Sequence, residues 1–308
     1  MSRLSVNLCC YNSERFLEET LRSIVTQTYQ DWELVIINDG STDRTEAIIQ
    51  TFIAEGWPII YHAQEHQGLP QARNEALRRS SGELIAFTDH DDVWYPQKLA
   101  RQVPVFEQDE RIGLVYSDCL NCLDDGFTFR QYQKLRPATG DAYRALLSRY
   151  FLSLQTVVIH RRVLRDGGEW FDPEFQLLED AEFFLRVASR WRLAYVPESL
   201  ARIRMHAQSA TRTQPRRILD EMHALLEKQR TLHPRFDQEF SREIRAFRLD
   251  LARAEARWAW ARHQRDQAIA YLKPYRYRHL AAWKDAALMR WLSLPQYERL
   301  RLLVGRGG

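Results

Sequence analysis

Three carboxylates fall within four consecutive residues at Asp89-His90-Asp91-Asp92. Acids this close together repel one another unless a positive group lies between them. A divalent cation is the simplest such group, because hard ions such as Mg²⁺ and Mn²⁺ prefer oxygen ligands and are commonly held by one or two carboxylates together with substrate phosphates. The segment therefore predicts a metal site that also binds a phosphate-bearing substrate.

Two further groups of polar side chains each come directly after a short apolar segment near the start of the chain. Tyr11-Asn12-Ser13-Glu14 comes after one such segment and Asn38-Asp39-Gly40-Ser41-Thr42-Asp43 after the next. Asp39-Gly40-Ser41 is equally consistent with a plain turn before a helix. Glu179-Asp180 opens a helical segment, and an acidic pair is favoured there by the positive end of the helix without any catalytic role. Spacing alone leaves both alternatives open.

The elements that carry these groups can be inferred from periodicity. Short β-rich segments alternate with segments of helical spacing over the first 120 residues, which predicts a layered α/β domain with a mostly parallel sheet. Ligands bind such sheets at the carboxyl ends of the strands, and the polar groups fall there. The predicted strands are residues 4–10, 32–37, 59–61, 84–88 and 112–116, with a later strand at 193–196.

Helix boundaries are also predicted. Asp43 with Glu46 three residues later fits a capping box, and Pro96 suits the first turn of another helix. A further helix is expected over residues 178–190.

Two common nucleotide-binding classes are disfavoured. No Gly-x-Gly-x-x-Gly follows the first strand, and no Gly-x-x-x-x-Gly-Lys-Ser/Thr is present. A nucleotide held mainly by side chains and a metal remains. Cys119-x-x-Cys122 suggests a zinc or redox site, but zinc generally needs four ligands and the other cysteines, Cys9 and Cys10, fall in a predicted buried strand.

Five motifs follow one another along residues 2–212. They are VNLCCYNSERFLEETLRSIVTQTYQDWELVIINDGSTDRT, GLPQARNEAL, LIAFTDHDDVWYPQKL, LLEDAEFFLRVA and IRMHAQSAT. In this order they resemble the family 2 glycosyltransferases, which have the GT-A fold, a Rossmann-like sheet flanked by helices. The resemblance implies an inverting enzyme that transfers a sugar from a nucleoside-diphosphate sugar to an acceptor hydroxyl, with Mn²⁺ or Mg²⁺ as the metal.

The resemblance also implies roles for individual residues. It implies that Asp180 is the catalytic base, with Glu179 as its neighbour in the acidic pair, and that Asp91 and His206 hold the metal on the diphosphate. The residues implied to bind the nucleotide are Tyr11, Glu14, Asp39, Arg73 and Asp89. An inverting displacement requires a base on the face opposite the leaving diphosphate, and a carboxylate distant in sequence can supply it.

The second part of the chain differs in charge. Residues 214–308 hold 20 Lys/Arg against 11 Asp/Glu, whereas residues 1–213 hold 24 against 30. We therefore divide the chain into a catalytic domain, 1–213, and a basic, all-helical C-terminal extension of two to four helices, 214–308, with Pro274 and Pro295 ending segments. Its Trp258, Trp260, Trp283 and Trp291 would pack on the catalytic domain, or part of it would lie on an anionic membrane surface. No nucleic-acid recognition motif is present.

The expected function is an inverting, metal-assisted transferase with a UDP-sugar as the first choice of donor, and GDP and dTDP open. The acceptor would be a saccharide, a lipid-linked saccharide or a glycoprotein, in synthesis of a bacterial surface polysaccharide, a lipopolysaccharide or a glycoprotein. Acceptor loops are expected in residues 127–150 and 153–156, because binding loops vary most. Without a membrane-spanning or secretory segment, the expected location is cytoplasmic, at the inner face of the membrane if the tail binds lipid.

Two other functions would also use a fold or a metal of this kind. The first is a catalytically inactive nucleotide-sugar-binding or scaffolding protein of the same fold, against which the presence of Asp39, Asp89, Asp91 and Asp180 argues. The second is a sugar-phosphate nucleotidyltransferase, which would be expected to carry a glycine-rich phosphate loop where Tyr11-Asn12-Ser13-Glu14 stands.

Overall fold

A computed structural model describes residues 3–133, 136–166, 170–275, 279–292 and 296. The chain forms two compact units. The first consists of residues 1–143 and 151–207, and the second of residues 144–150 and 208–308. The sequence division at residue 213 thus differs from these units by the segment 208–213 and by the internal segment 144–150.

The first unit is built on a sheet of nine strands. Their spatial order is β3-β2-β1-β4-β8-β6-β9-β5, with β7 paired to β6. The pairs β1–β2, β2–β3, β1–β4 and β6–β9 are parallel, and β8 runs antiparallel between β4 and β6. The strands are β1 Leu4–Cys10, β2 Trp32–Asp39, β3 Ile59–Gln64, β4 Leu84–Asp89, β5 Val93–Trp94, β6 Ile112–Leu123, β7 Thr128–Arg130, β8 Val158–His160 and β9 Arg192–Met205.

Helices cover both faces of the parallel strands. Alternate residues of a strand point to opposite faces. Leu4, Val6 and Leu8 of β1 belong to one apolar cluster with residues of the first two helices, whereas Cys9 packs with Ala72 of the third. The helices of this unit are α1 Leu17–Val25, α2 Thr45–Ala54, α3 Leu69–Arg79, α4 Lys98–Gln102 and α6 Glu179–Ala188, with 3₁₀ turns at Val103–Glu107, Leu154–Thr156 and Arg161–Asp166. Helix α5, Tyr143–Ser148, belongs to the second unit except for its first residue.

The layered α/β prediction is confirmed, and four local predictions need correction. The predicted strands at 112–116 and 193–196 are the beginnings of the much longer β6 and β9. No capping box forms at Asp43, because α2 begins at Thr45 and the Asp43 carboxylate accepts a hydrogen bond from the Thr45 N–H instead. Pro96 precedes α4 rather than lying in its first turn.

Every regular element in the described part of the second unit is a helix. Phe236 and Phe240 have the spacing of neighbours on one helix, yet a single helical turn ends before Phe240 and a long helix begins after it. Beyond residue 213 five helices rather than two to four are found among the described residues. The helices are α7 Ala210–Thr213, α8 Pro215–Leu232, α9 Phe236–Glu239, α10 Ser241–Ala261, α11 Arg265–Leu272 and α12 Leu280–Trp291.

The second unit has its own apolar core. Trp260 is buried there with Leu272 and Met289, and Trp258 is partly buried beside them. The segment 144–150 belongs to this unit because Arg144 pairs with Glu243 at 3.2 Å and donates to the backbone carbonyl of Glu239. The expected helix end at Pro295 and the side chain of Trp291 lie outside the described residues. None of the described helices is long and apolar enough to cross a bilayer.

Candidate active site

The sheet brings the predicted polar groups to one edge. β1 lies between β2 and β4, and all three run parallel. Asp39 is the last residue of β2 and Asp89 the last of β4, and Tyr11 follows the end of β1. The carboxyl ends of these neighbouring strands therefore place the three loops side by side, as the sequence predicts.

Hydrogen bonds connect the loop after β1 to the loop after β2. Asn12, in a left-handed conformation with φ of 48°, donates from its backbone to the Ser41 hydroxyl at 3.0 Å and accepts from the Thr42 N–H at 2.9 Å. The Glu14 carboxylate accepts from the Arg44 N–H at 3.1 Å. Glu14 therefore helps to hold the two loops together, in addition to the nucleotide contact that the resemblance implies.

Asp39 is buried, and its carboxylate accepts three hydrogen bonds from the segment Gln64–Gly68. Its carboxylate accepts from the Gln64 side chain at 2.7 Å, from the Gln67 N–H at 3.0 Å and from the Gly68 N–H at 2.9 Å. Gly68 has a φ of 94°, and an added Cβ there would lie 3.0 Å from the Gln176 side chain. In this structure Asp39 holds the loop that follows β3, a role that sequence spacing does not indicate.

His66, a histidine that the sequence analysis did not name, lies at this site. The His66 ring stacks on the Tyr11 ring with centroids 4.1 Å apart and an interplanar angle of 24°. Its Nδ1 lies 2.9 Å from Asp39 Oδ2. Tyr11 is 46% exposed, so its ring offers an aromatic surface at the edge of the sheet. No local signal in the sequence pairs these two rings, because they follow different strands.

Arg73, on α3, joins two of the acidic groups. Its Nη2 donates to Asp89 Oδ1 at 2.8 Å and its Nη1 donates to Glu179 Oε1. Burial lowers the pKa of this guanidinium, but the carboxylates of Glu179 and Asp89 outweigh it and the net pKa is raised. The second oxygen of Asp89 accepts from the Gln155 side chain at 2.6 Å. Arg73 and Gln155 thus fix Asp89, the first acid of Asp89-His90-Asp91, which we call the Asp-x-Asp segment.

The two acids that open α6 have different environments. Glu179 is 3% exposed and faces Arg73, whereas Asp180 is partly exposed. Burial raises the pKa of Glu179 above its usual value, with Arg73 opposing the rise and Asp180 adding to it. Among the described residues, the Oε2 of Glu179 has no hydrogen-bond partner. Of the pair, Asp180 is the carboxylate that solvent can reach.

Asp91 and His206 meet across the sheet. The His206 Nε2 lies 2.9 Å from Asp91 Oδ2. Two adjacent ligands of an octahedral ion, each at about 2.0–2.1 Å, would be separated by roughly 3 Å, so this pair fits a Mg²⁺- or Mn²⁺-type site. No third His, Cys, Asp or Glu joins them in the part of the chain that the structure describes. Diphosphate oxygens and water are the usual remaining ligands of such ions.

The segment between β4 and β5 is held in place by Asp92, the third acid of the predicted metal segment, and by Thr20, which the sequence analysis did not name. Asp92 is buried and accepts from the Arg204 N–H at 2.8 Å, two residues before His206. The Thr20 hydroxyl lies within hydrogen-bond distance of the carbonyls of His90 and Asp92, at 2.9 and 2.8 Å. These contacts set the register between the Asp-x-Asp segment and β9, and burial raises the pKa of Asp92 well above its usual value.

Comparison with known proteins points to one family. The profile of the family described as Glycosyl transferase family 2 matches residues 5–167. An uncharacterized glycosyltransferase of Haemophilus influenzae is 27% identical over 221 residues, which is 68% of this chain and 67% of that protein. The putative teichuronic acid biosynthesis glycosyltransferase TuaG of Bacillus subtilis is 28% identical over 205 residues, or 66% of this chain and 79% of that protein. Other curated relatives are matched over only 17% and 36% of their length.

Solved structures share the fold at low sequence identity. S. aureus TarS 1-349 in complex with UDP-GlcNAc has a TM-score of 0.66 at 18% identity, covering 89% of this chain and 80% of that chain. The mannosyltransferase PcManGT from Pyrobaculum calidifontis, in complex with GDP-Man and Mn²⁺, has a TM-score of 0.65 at 19% identity, covering 96% and 83%. The sheet with its C-terminal helices is therefore an architecture that both of these proteins have.

Proposed function

The chain belongs to the family 2 glycosyltransferases and has the GT-A fold, and on that basis we propose that it is an inverting, metal-assisted enzyme that transfers a sugar from a UDP-sugar to an acceptor hydroxyl. The observation that carries this proposal is the arrangement around Arg73. Its guanidinium bonds to both Asp89 and Glu179 and thereby fixes the start of α6, with the accessible Asp180, next to the Asp-x-Asp segment.

In the proposed reaction Asp180 accepts the proton of the acceptor hydroxyl as that oxygen attacks the anomeric carbon. A positioned base of this kind contributes about 10²–10⁴-fold to a rate. A divalent ion held by Asp91 and His206 would offset the charge that develops on the departing diphosphate. Glu179 stays paired with Arg73, so its part in catalysis is to position Asp180.

The donor would occupy the loops after β1, β2 and β4. We propose that Tyr11 and Asp39 contact the base and the ribose, with Glu14 keeping their loops together, and that Asp89 and Arg73 lie on the nucleotide side of the sugar. UDP is the first choice, supported by the UDP-GlcNAc bound to TarS, although PcManGT binds GDP-Man with Mn²⁺. Both proteins are less than 25% identical to this chain, so nucleotide titration has to identify the base that this chain binds.

The acceptor and pathway are part of the proposal. The name of TuaG, a putative teichuronic acid enzyme, supports synthesis of a bacterial surface polysaccharide. The acceptor is then a saccharide or a lipid-linked saccharide, with a glycoprotein as a further candidate. The proposed location is the cytoplasm, at the inner membrane face if the basic helices bind lipid. An inactive nucleotide-sugar-binding or scaffolding protein is the alternative that turnover would exclude.

The test is isothermal titration of the full chain with UDP, GDP and dTDP, each with and without Mn²⁺. One nucleotide is expected to bind at least tenfold more tightly with Mn²⁺ than without it. Asp91→Ala should abolish that metal dependence, because it removes half of the proposed ligand pair. Asp220→Ala is the matched control, since this exposed carboxylate of α8 lies in the other unit.

Two results would contradict the proposal. Binding of none of the three nucleotides would remove the donor site. Metal dependence that persists in Asp91→Ala would place the ion elsewhere.

A further inference from the structure

The hairpin of β6 and β7 begins beside the proposed metal pair. β6 and β9 pair in parallel up to Cys122 opposite Arg204 and Leu123 opposite Met205. His206 directly follows the end of β9, and the Asp124 carboxylate accepts from the N–H of Ala207 at 2.9 Å. The hairpin tip is therefore attached to the residue that follows His206.

The hairpin also lies at the correct edge of the sheet. β8 is antiparallel to both β4 and β6, so β6 runs in the same direction as β4. The end of β6 consequently points to the same edge as Asp89, at the end of β4. Its tip lies at the edge that carries the predicted donor groups and on the β9 side of it, whereas Tyr11 and Asp39 lie on the β2 side.

The tip presents an aromatic side chain to solvent. Gly126, with a φ of 82°, closes a tight turn in which its N–H donates to the Leu123 carbonyl at 3.0 Å, and an added Cβ there would meet nothing within 4 Å. Phe127 follows it and is 39% exposed. The ring of Phe129 supports it, with centroids 6.1 Å apart and an interplanar angle of 32°. An exposed phenylalanine in a fixed turn is a surface that a ligand can cover without first ordering the loop.

The base of the hairpin is held by a buried charge. Asp118 is buried, and its carboxylate accepts from Arg130 Nε at 2.8 Å and from the Tyr132 N–H at 3.2 Å. The exposed carboxylates of Asp124 and Asp125 lie at the tip itself and disfavour an anionic ligand there.

We propose that Phe127 and Phe129 form the acceptor platform, on which the apolar face of a neutral sugar ring packs while its hydroxyl reaches the reaction centre. This rests on the proposed function and names the acceptor as a neutral saccharide. An aromatic face provides the apolar contact for the C–H groups of the ring. The platform lies on the β9 side of the site, across from the proposed nucleotide loops.

The experiment uses the full chain saturated with UDP and Mn²⁺. The protein is titrated separately with maltotetraose and with chitotetraose, and saturation-transfer difference NMR detects saccharide binding. At least one tetrasaccharide is expected to bind. Phe127→Ala should weaken that binding by at least fivefold and leave the dissociation constant of UDP within twofold. Unchanged UDP binding also shows that the variant is folded. Trp283→Ala, which removes an exposed aromatic ring of α12, is the matched control and should change neither affinity.

The possible results separate this proposal from the donor proposal. Saccharide binding that is unchanged in Phe127→Ala, or reduced equally in Trp283→Ala, would overturn the platform. So would the failure of both tetrasaccharides to bind to protein that binds UDP. If UDP does not bind, the proposed donor site is wrong. The platform would still be supported if saccharide binding were lost in Phe127→Ala and retained in Trp283→Ala.

Discussion

Adjacent carboxylates at Glu179 and Asp180 differ in what surrounds them. Glu179 is buried against Arg73, and Asp180 is partly exposed at the start of α6. A general base needs access to the proton that it accepts, and a buried partner of a guanidinium lacks it. The difference assigns separate proposed roles to two side chains of the same chemistry.

Asp180→Asn should reduce turnover by about 10²–10⁴-fold, the range expected when a positioned base is removed. The affinity for the donor nucleotide should stay within about twofold, because the amide keeps the shape of the carboxylate and lies outside the proposed nucleotide loops. Steady-state kinetics and nucleotide titration on the same preparation measure both quantities. Glu174→Gln, at an exposed acid six residues earlier, is the control and should retain full activity. Loss of nucleotide binding in Asp180→Asn would instead make Asp180 a structural residue.

The sequence was enough to predict which carboxylates lie at the edge of the sheet, but not which side chains bond to them. The positions of Asp39, Asp89 and Asp91 at strand ends follow from periodicity, because β-rich segments end there. That Arg73 bonds to Glu179, 106 residues away, depends on how α3 and α6 pack, which local spacing does not encode. His66 was missed for the same reason, since its stacking partner Tyr11 follows a different strand.

At the scale of elements, a buried lysine connects the segment after β5 to the sheet. Lys98 opens α4, lies under the Trp94 ring at 4.2 Å and donates to the Gln102 side chain at 2.7 Å. Gln102 in turn donates to the Thr156 carbonyl at 2.7 Å, next to Gln155. Burial without a carboxylate partner lowers the pKa of Lys98 from 10.5 to about 7.

This lysine should make stability depend on pH. Between pH 7 and 10.5 the unfolded chain holds the Lys98 proton while the folded chain has released it, so the free energy of unfolding rises with pH in that window. Lys98→Met removes the titration. Relative to this variant, wild-type protein should gain about 2 kcal/mol between pH 6 and pH 9, where one group contributes at most about 1.4 kcal/mol per pH unit. Urea unfolding at both pH values measures the gain.

Lys284→Met, at an exposed lysine of α12, is the control and should unfold in parallel with wild type. Parallel pH profiles for wild type and Lys98→Met would show that Lys98 keeps its proton in the folded state.

Element positions were more predictable than their ends. The four parallel strands were placed within three residues because buried parallel strands appear as continuous apolar segments. The length of β9 was not predictable, since Pro197 and Glu198 interrupt its apolar pattern and irregular pairing with β6 accommodates them. Phe240 continues the helical period in sequence, yet it lies between α9 and α10, so periodicity alone did not locate that break.

At the scale of the whole molecule, the basic helices present apolar side chains to solvent. Leu280 is 65% exposed and Trp283 is 54% exposed, one turn apart on α12 and next to Lys284. Apolar and basic side chains on one helix suit the interface of an anionic membrane. These residues are the most specific support for the proposed membrane contact.

Leu280→Asp should reduce co-sedimentation of the full chain with vesicles of phosphatidylglycerol and phosphatidylcholine by at least threefold, because it places a charge where the apolar contact would form. Leu232→Asp, at a leucine of α8 that is 43% exposed, is the matched control and should pellet like wild type. Equal pelleting of wild type with anionic and with pure phosphatidylcholine vesicles, or of both variants with wild type, would argue against a membrane role for α12.

The segment 144–150 has a consequence for how this chain can be recombined. It belongs to the helical unit although it lies within the sequence of the other, so the polypeptide passes between the units three times. A chimera that exchanges only residues after 207 would leave Arg144 facing a foreign helix in place of Glu243 and Phe240. A chimera that exchanges the helical unit between relatives should therefore exchange both of its segments, 144–150 and 208–308. The residues of these two segments that contact each other should also change together in evolution.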